Sequence, residues 1–177
     1  RTSIARIVAH EIKKLVYDED AAHLDIIEID AASNNGVDDV RDLREKAQIT
    51  PVSASKKVYI IDEVHMLSKQ AFNALLKTLE EPPAHIVFIL ATTDAHKVPD
   101  TIISRTQRFA FRSITQVDAL KHLRMIADSE SIHIEDEALA LVAEHGDGSF
   151  RDSISLLDQL SILAEPKAPI TLPLVEQ

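Results

Sequence analysis

Apolar positions along this chain follow two regimes. Up to about residue 112, short unalternating apolar runs take turns with helical spacings; from 114 to 164 the spacing is helical throughout. Leu24 to Asp30 reads as one strand, and unalternating apolar runs lie at 57–62 and 86–91. They are short and rich in β-branched residues, as strands buried on both faces of a parallel sheet are. Between them, Ile4, Ile7, Val8, Ile12 and Leu15 predict a helix over 2–16. Val37, Val40, Leu43 and Ala47 predict a second, begun at Asn35 or Gly36 after a turn cluster. Ala71, Phe72, Leu75, Leu76 and Leu79 predict a third, capped by Ser68 and stopped by Pro82 and Pro83. Residues 17–23 and 51–55 read as polar connections, and 99–103 as a short turn or helix. Alternation at Arg108, Phe109, Ala110 and Phe111 predicts a further strand.

Beyond it, three helices are expected. Thr115 and Asp118 open the first, Ala138, Leu139 and Val142 lie in the second, and Ile154, Leu157, Leu160 and Leu163 mark the third. The tail from 165 has three prolines and no clear period. The expected organisation is therefore an α/β domain over 1–112, an all-helical domain over 113–164, and a linker or the start of another domain over 165–177.

Composition narrows the class. The chain has 177 residues, 45% hydrophobic and 27% charged, enough to bury a substantial core. It has no cysteine, which excludes disulfides and thiolate metal sites and suits a reducing cytoplasm. No apolar run is long enough for a membrane helix, so no membrane partner is expected. The formal net charge of −10 argues against coating nucleic acid through bulk charge. The eight histidines have no ligand spacing and read as surface or packing residues.

The chemistry concentrates at one strand end. The run 57–62 stops at Asp62 and Glu63, and ligands of parallel sheets sit beyond the carboxyl ends of the strands. In nucleoside triphosphatases this Walker B pattern gives the aspartate to Mg²⁺ and orients the attacking water. Thr92, Thr93 and Asp94 end the strand at 86–91 and would lie beside them. At the start, Thr2 and Ser3 open a helix. They read either as its cap or as the end of a phosphate loop in which Arg1 holds the lysine position. Arg151, in the first turn of a helix, opposes the helix dipole and so has another purpose.

Longer motifs carry a family resemblance. Glu28-Ile-Asp-Ala-Ala-Ser-Asn-Asn-Gly-Val-Asp-Asp-Val-Arg-Asp-Leu-Arg-Glu-Lys46 resembles the gamma/tau subunits of the bacterial DNA polymerase III clamp loader. So do Val58-Tyr-Ile-Ile-Asp-Glu-Val-His-Met-Leu67, Phe72-Asn-Ala-Leu-Leu-Lys-Thr-Leu-Glu-Glu-Pro-Pro83, Leu90-Ala-Thr-Thr-Asp94, Ser104-Arg105 and Gly148-Ser-Phe-Arg-Asp152. The resemblance implies a RecA-like AAA+ sheet followed by a small helical lid. It implies an ATPase that couples ATP binding and hydrolysis to loading a sliding clamp on primed DNA.

By position, Thr2 is similar to the phosphate-loop hydroxyl on Mg²⁺, with Arg1 and Ser3 beside the nucleotide. Asp62 is similar to the metal residue and Glu63 to the catalytic base. Thr93 resembles the sensor at the γ-phosphate, Arg105 the arginine finger acting on a neighbouring subunit, and Arg151 the lid arginine. The implied cofactors are ATP and Mg²⁺. The implied partners are other clamp-loader subunits, the sliding clamp and primer-template DNA, with DNA contact expected near 33–36 and at Arg41 or Arg44.

Two departures stand out. The family's four-cysteine zinc module has no counterpart at 15–24, so no zinc is expected. The glycine loop and the strand before it are missing, which reads as a truncation that leaves this stretch alone inactive in hydrolysis. The alternatives are a purely structural clamp-loader subunit, which Arg1 suits, and a DExH-type helicase fragment, which Asp62-Glu63-Val64-His65 also fits. A strand absent between 86–91 and 107–111 should leave a gap in the sheet.

Overall fold

The computed structural model describes residues 1–14, 23–51, 56–164 and 168–176. The last two residues, 15 and 16, of the expected first helix, most of the connection at 17–23, most of the loop at 51–55 and part of the tail lie outside them. The chain forms two compact units, Arg1–Phe109 and Ala110–Gln177.

The first unit is a three-stranded parallel sheet in the order β1-β2-β3, with β1 Ile26–Asp30, β2 Lys57–Asp62 and β3 Ile86–Leu90. β2 is central, and its first five residues are buried. Its alternation sorts them between two layers. Tyr59 and Ile61 pack with Val40 and Leu43 of α2 (Val37–Ala47) and with Phe72 and Leu75 of α3 (Lys69–Glu80). Val58 and Ile60 pack on the other side with Ala5 and Ala9 of α1 (Thr2–Ile12). Burial on both faces is why this strand shows no polar alternation.

Local signals fix the helix starts. The Gly36 N–H donates to Asp39 Oδ2 at 2.9 Å where α2 begins, and Ser68 Oγ accepts from Ala71 N at 3.2 Å where α3 begins. A two-point pair joins Arg6 of α1 to Glu28 of β1, Nε to Oε2 at 2.8 Å and Nη2 to Oε1 at 3.0 Å. Deeper down, Lys13 Nζ lies 3.5 Å from Asp25 Oδ2, with both side chains buried. A short helix, α4, spans Asp100–Ile103.

The strand expected at 108–111 does not form. Phe109 and Phe111 are 69% and 52% exposed, and the outer edge of β3 has no strand partner among the described residues. Alternation makes a strand only where a neighbouring strand takes up its N–H and C=O groups, and among the described residues no strand pairs with this segment.

The second unit is helical: α5 Gln116–Ser129, α6 Asp136–His145, α7 Phe150–Leu163 and α8 Leu172–Val175. Leu123, Leu139, Val142, Leu157 and Leu160 form its core. Thr115 caps α5 through the Asp118 N–H, and Ser149 caps α7 through the Asp152 N–H. The tail has more structure than its lack of period suggested. Ile170 bridges to Ile134, is 1% exposed and joins the second core.

Candidate functional site

The carboxyl end of β2, the end of β3 and the start of α1 meet in one polar cluster. Thr2 Oγ1 donates to Asp62 Oδ2 at 2.7 Å. The other carboxylate oxygen, Oδ1, accepts the Glu63 backbone N–H at 2.9 Å. Thr2 and Ser3 are not the helix cap. Arg1 holds that position without a side-chain bond, and Thr2 is already inside the helix with its hydroxyl turned onto Asp62.

Glu63 adopts left-handed backbone angles, φ 46° and ψ 44°. For a residue with a β-carbon this conformation costs about 1 kcal/mol or more, so the surrounding contacts must hold it. It bends the chain sharply from β2 into the single turn Val64–Met66, tied by the Val64 N–H to the Ala91 carbonyl at 2.9 Å. The bend brings the Glu63 carboxylate to the tip of β3. There Oε2 accepts from Thr93 N at 3.1 Å and from Thr93 Oγ1 at 3.0 Å. Thr2, Asp62, Glu63 and Thr93 thus stand together at the start of α1.

His65 completes the cluster; the sequence offers it only in the Asp62-Glu63-Val64-His65 run and as one histidine among eight, not as a site residue. Its Nδ1 lies 2.9 Å from Thr92 Oγ1 and 3.3 Å from Glu63 Oε2, and its side chain is 10% exposed. The signal for it was its place two residues beyond Glu63, across one tight turn. Nearby, a hydrogen bond from Lys97 holds the Asp94 carboxyl below the usual carboxylate range.

Arg1 and Ser3 are exposed at the start of α1. Arg105 follows α4 and is about a third exposed. It makes a one-point pair from Nη2 to Glu80 Oε1 at 2.7 Å, while Nη1 donates to the Thr101 carbonyl at 2.8 Å. Arg151 is exposed in the first turn of α7 and has no ion pair among the described residues. In the 33–36 turn, Ser33 Oγ and the Ala32 N–H both donate to Asp30, which holds that carboxyl below its ordinary range. Arg41 pairs with Asp38 at 2.9 Å on the exposed side of α2.

A family model described as DNA polymerase III, delta subunit, matches residues 9–115. One described as DNA polymerase III clamp loader subunit, ATPase lid domain, matches residues 119–164. The chain belongs to the DNA polymerase III clamp-loader subunits. Among curated members, the DNA polymerase III subunit tau of Bacillus subtilis is 58% identical over 135 residues, 76% of this chain and 24% of its own length. The subunit gamma/tau of Mycoplasma pneumoniae is 43% identical over 94% of this chain and 26% of its own. The chain therefore spans about a quarter of the length of these clamp-loader relatives.

Among solved structures, a DNA polymerase III gamma subunit-related protein of Thermotoga maritima matches 92% of this chain and 51% of its own. Its TM-score is 0.65 at 25% identity. The RuvB Holliday junction branch migration motor of the same organism matches 99% of this chain and 55% of its own. Its TM-score is 0.69 at 22% identity, which speaks to the fold alone. The fold of this clamp-loader chain is a RecA-like AAA+ sheet followed by a helical lid domain.

Proposed function

We propose that this chain is part of an ATPase subunit of the DNA polymerase III clamp loader, coupling ATP binding and hydrolysis to placement of a sliding clamp on primed DNA. The observation that carries this reading is the 2.7 Å contact of Thr2 Oγ1 with Asp62 Oδ2, beside the Glu63–Thr93 pair. Thr2 Oγ1 and Asp62 Oδ2 are two hard oxygens side by side, the donor type Mg²⁺ takes, and they would hold the ion when nucleotide is bound. One carboxylate and one hydroxyl suffice, because Mg²⁺ takes its other oxygens from water and phosphates. Mg²⁺, when bound, neutralises charge that develops on the phosphate oxygens.

In this reading Glu63 orients the attacking water and Thr93 reads the γ-phosphate. Arg1 and Ser3 lie beside the phosphates, and Arg151 reaches them from the lid. Arg105 acts on ATP held by a neighbouring subunit. Its one-point pair with Glu80 is the sort of surface contact a partner can displace, being worth about 0–1 kcal/mol. Residues 1–112 act as the nucleotide-binding domain and 113–164 as the lid. The other clamp-loader subunits, the clamp and primer-template DNA are its partners, and the cytoplasm is its place of work. DNA phosphates meet the 33–36 turn and α2, with Arg41 and Arg44 contributing charge. A purely structural subunit would have no use for a hydroxyl held on the Walker B aspartate.

Replacing Glu63 with Gln in the full-length subunit, assembled with its partners, tests the reading. ATP affinity should stay within about twofold while hydrolysis falls by about 10²–10⁴, the range for loss of a positioned general base. Unchanged turnover would refute it.

A further inference from the structure

Thr93 has one hydroxyl proton, and in this structure it is given to Glu63 Oε2 at 3.0 Å. The same proton cannot be donated to a γ-phosphate while it is held there. A sensor that turns toward nucleotide must therefore release one of its two bonds to the base. His65 is the side chain placed to compensate. Its Nδ1 lies between Thr92 Oγ1 at 2.9 Å and Glu63 Oε2 at 3.3 Å, and its side chain is largely buried.

The tautomer follows from the neighbours. A bare Nδ1 lone pair facing the Glu63 carboxylate would be repelled by it, so Nδ1 carries the hydrogen and shares it between the two oxygens. Thr92 Oγ1 is fixed in turn by the Asp94 N–H at 3.0 Å, which anchors the imidazole to the tip of β3.

We infer that His65 is a positioning residue for hydrolysis: its Nδ1–H keeps the Glu63 carboxylate at the tip of β3 when the Thr93 hydroxyl turns to nucleotide. This rests on the ATPase reading above and deepens it. Glu63 needs such a tether because its left-handed backbone is strained and its side chain is a third exposed. A base displaced by about 1 Å can lose about a hundredfold in rate while substrate binding is untouched.

The test uses the full-length subunit in its complex, with ATP as the probe, and compares His65→Ala, His65→Asn and His65→Phe with Glu63→Gln. His65→Ala should lower kcat about ten- to a hundredfold and leave the Kd for ATP within about twofold. His65→Asn places an amide N–H close to the Nδ1 position and should restore most of the rate. His65→Phe fills the pocket without a donor and should stay slow. Full turnover by His65→Ala, or equal rates for the Asn and Phe variants, overturns the inference. If Glu63→Gln abolishes hydrolysis while all three His65 variants turn over normally, the inference alone fails. If the unmodified complex neither binds nor hydrolyses ATP, the ATPase reading fails and takes the inference with it.

Discussion

The polar cluster at the ends of β2 and β3 and the two arginines Arg105 and Arg151 are held in opposite ways. In the cluster, Thr2, Asp62, Glu63, Thr93 and His65 are tied to one another by bonds of 2.7–3.3 Å, and the backbone of Glu63 is strained to make this possible. Arg105 is tied by a single exposed carboxylate, one carbonyl and a long bond to the Ser104 hydroxyl, and Arg151 has no ion pair among the described residues. The difference teaches which parts come ready-made. Groups that must agree to within a fraction of an ångström are fixed by this chain's own fold. The arginines are held by no more than weak surface contacts, which cost little to exchange.

The largest effect should come from the loosely held side. Arg105→Ala in the assembled complex should cut DNA-stimulated hydrolysis by about 10³ or more while ATP binding stays nearly intact. Steady-state turnover and equilibrium ATP binding on the same sample check this, and normal turnover would remove the role in trans. A smaller effect is expected at α2. Charge reversal at Arg41 and Arg44 should weaken DNA binding and lower its salt slope by about 2, one for each phosphate no longer neutralised. Arg41 already spends part of its charge on Asp38, so the loss there should be the lesser of the two.

The smallest effect lies on the same strand as the cluster. The Tyr59 hydroxyl is buried with no hydrogen-bond partner among the described residues, and burial pushes its pKa up. Its ring stacks on Phe88 at 5.6 Å between centroids, which Phe would preserve. Tyr59→Phe should therefore leave stability unchanged or raise it by up to about 1 kcal/mol, read by chemical denaturation. A marked loss would mean that the hydroxyl has a partner in solution.

Much of this was legible in the sequence because the deciding signals are local. Unalternating runs announced β2 and β3, and Ser68 and Thr115 announced helix starts that their hydroxyls do cap. The carboxylate pair after β2 and the threonines after β3 pointed to one rim, because parallel strands bring their carboxyl ends together. What local pattern could not reveal depends on partners far along the chain. Residues 108–111 alternate as a strand does, yet among the described residues no neighbour strand takes them up. Ile170 looked like one apolar residue in a proline-rich tail until Ile134 gave it a bridge and a buried place. Thr2 resembled a helix cap because nothing nearby shows that Asp62, sixty residues on, accepts its proton. His65 needed the turn geometry of Glu63 before its ring could be placed beside Thr92.

The central claim is that Thr2 and Asp62 form the Mg²⁺ end of an ATP site. It is tested most directly by the Mg²⁺ dependence of ATP binding to the full-length subunit in its complex, with and without Asp62→Asn. The unmodified complex should bind ATP more tightly with Mg²⁺ than with a chelator, and Asp62→Asn should erase most of that difference and stop hydrolysis. An Asp62→Asn complex that keeps both the Mg²⁺ dependence and the turnover would contradict the account.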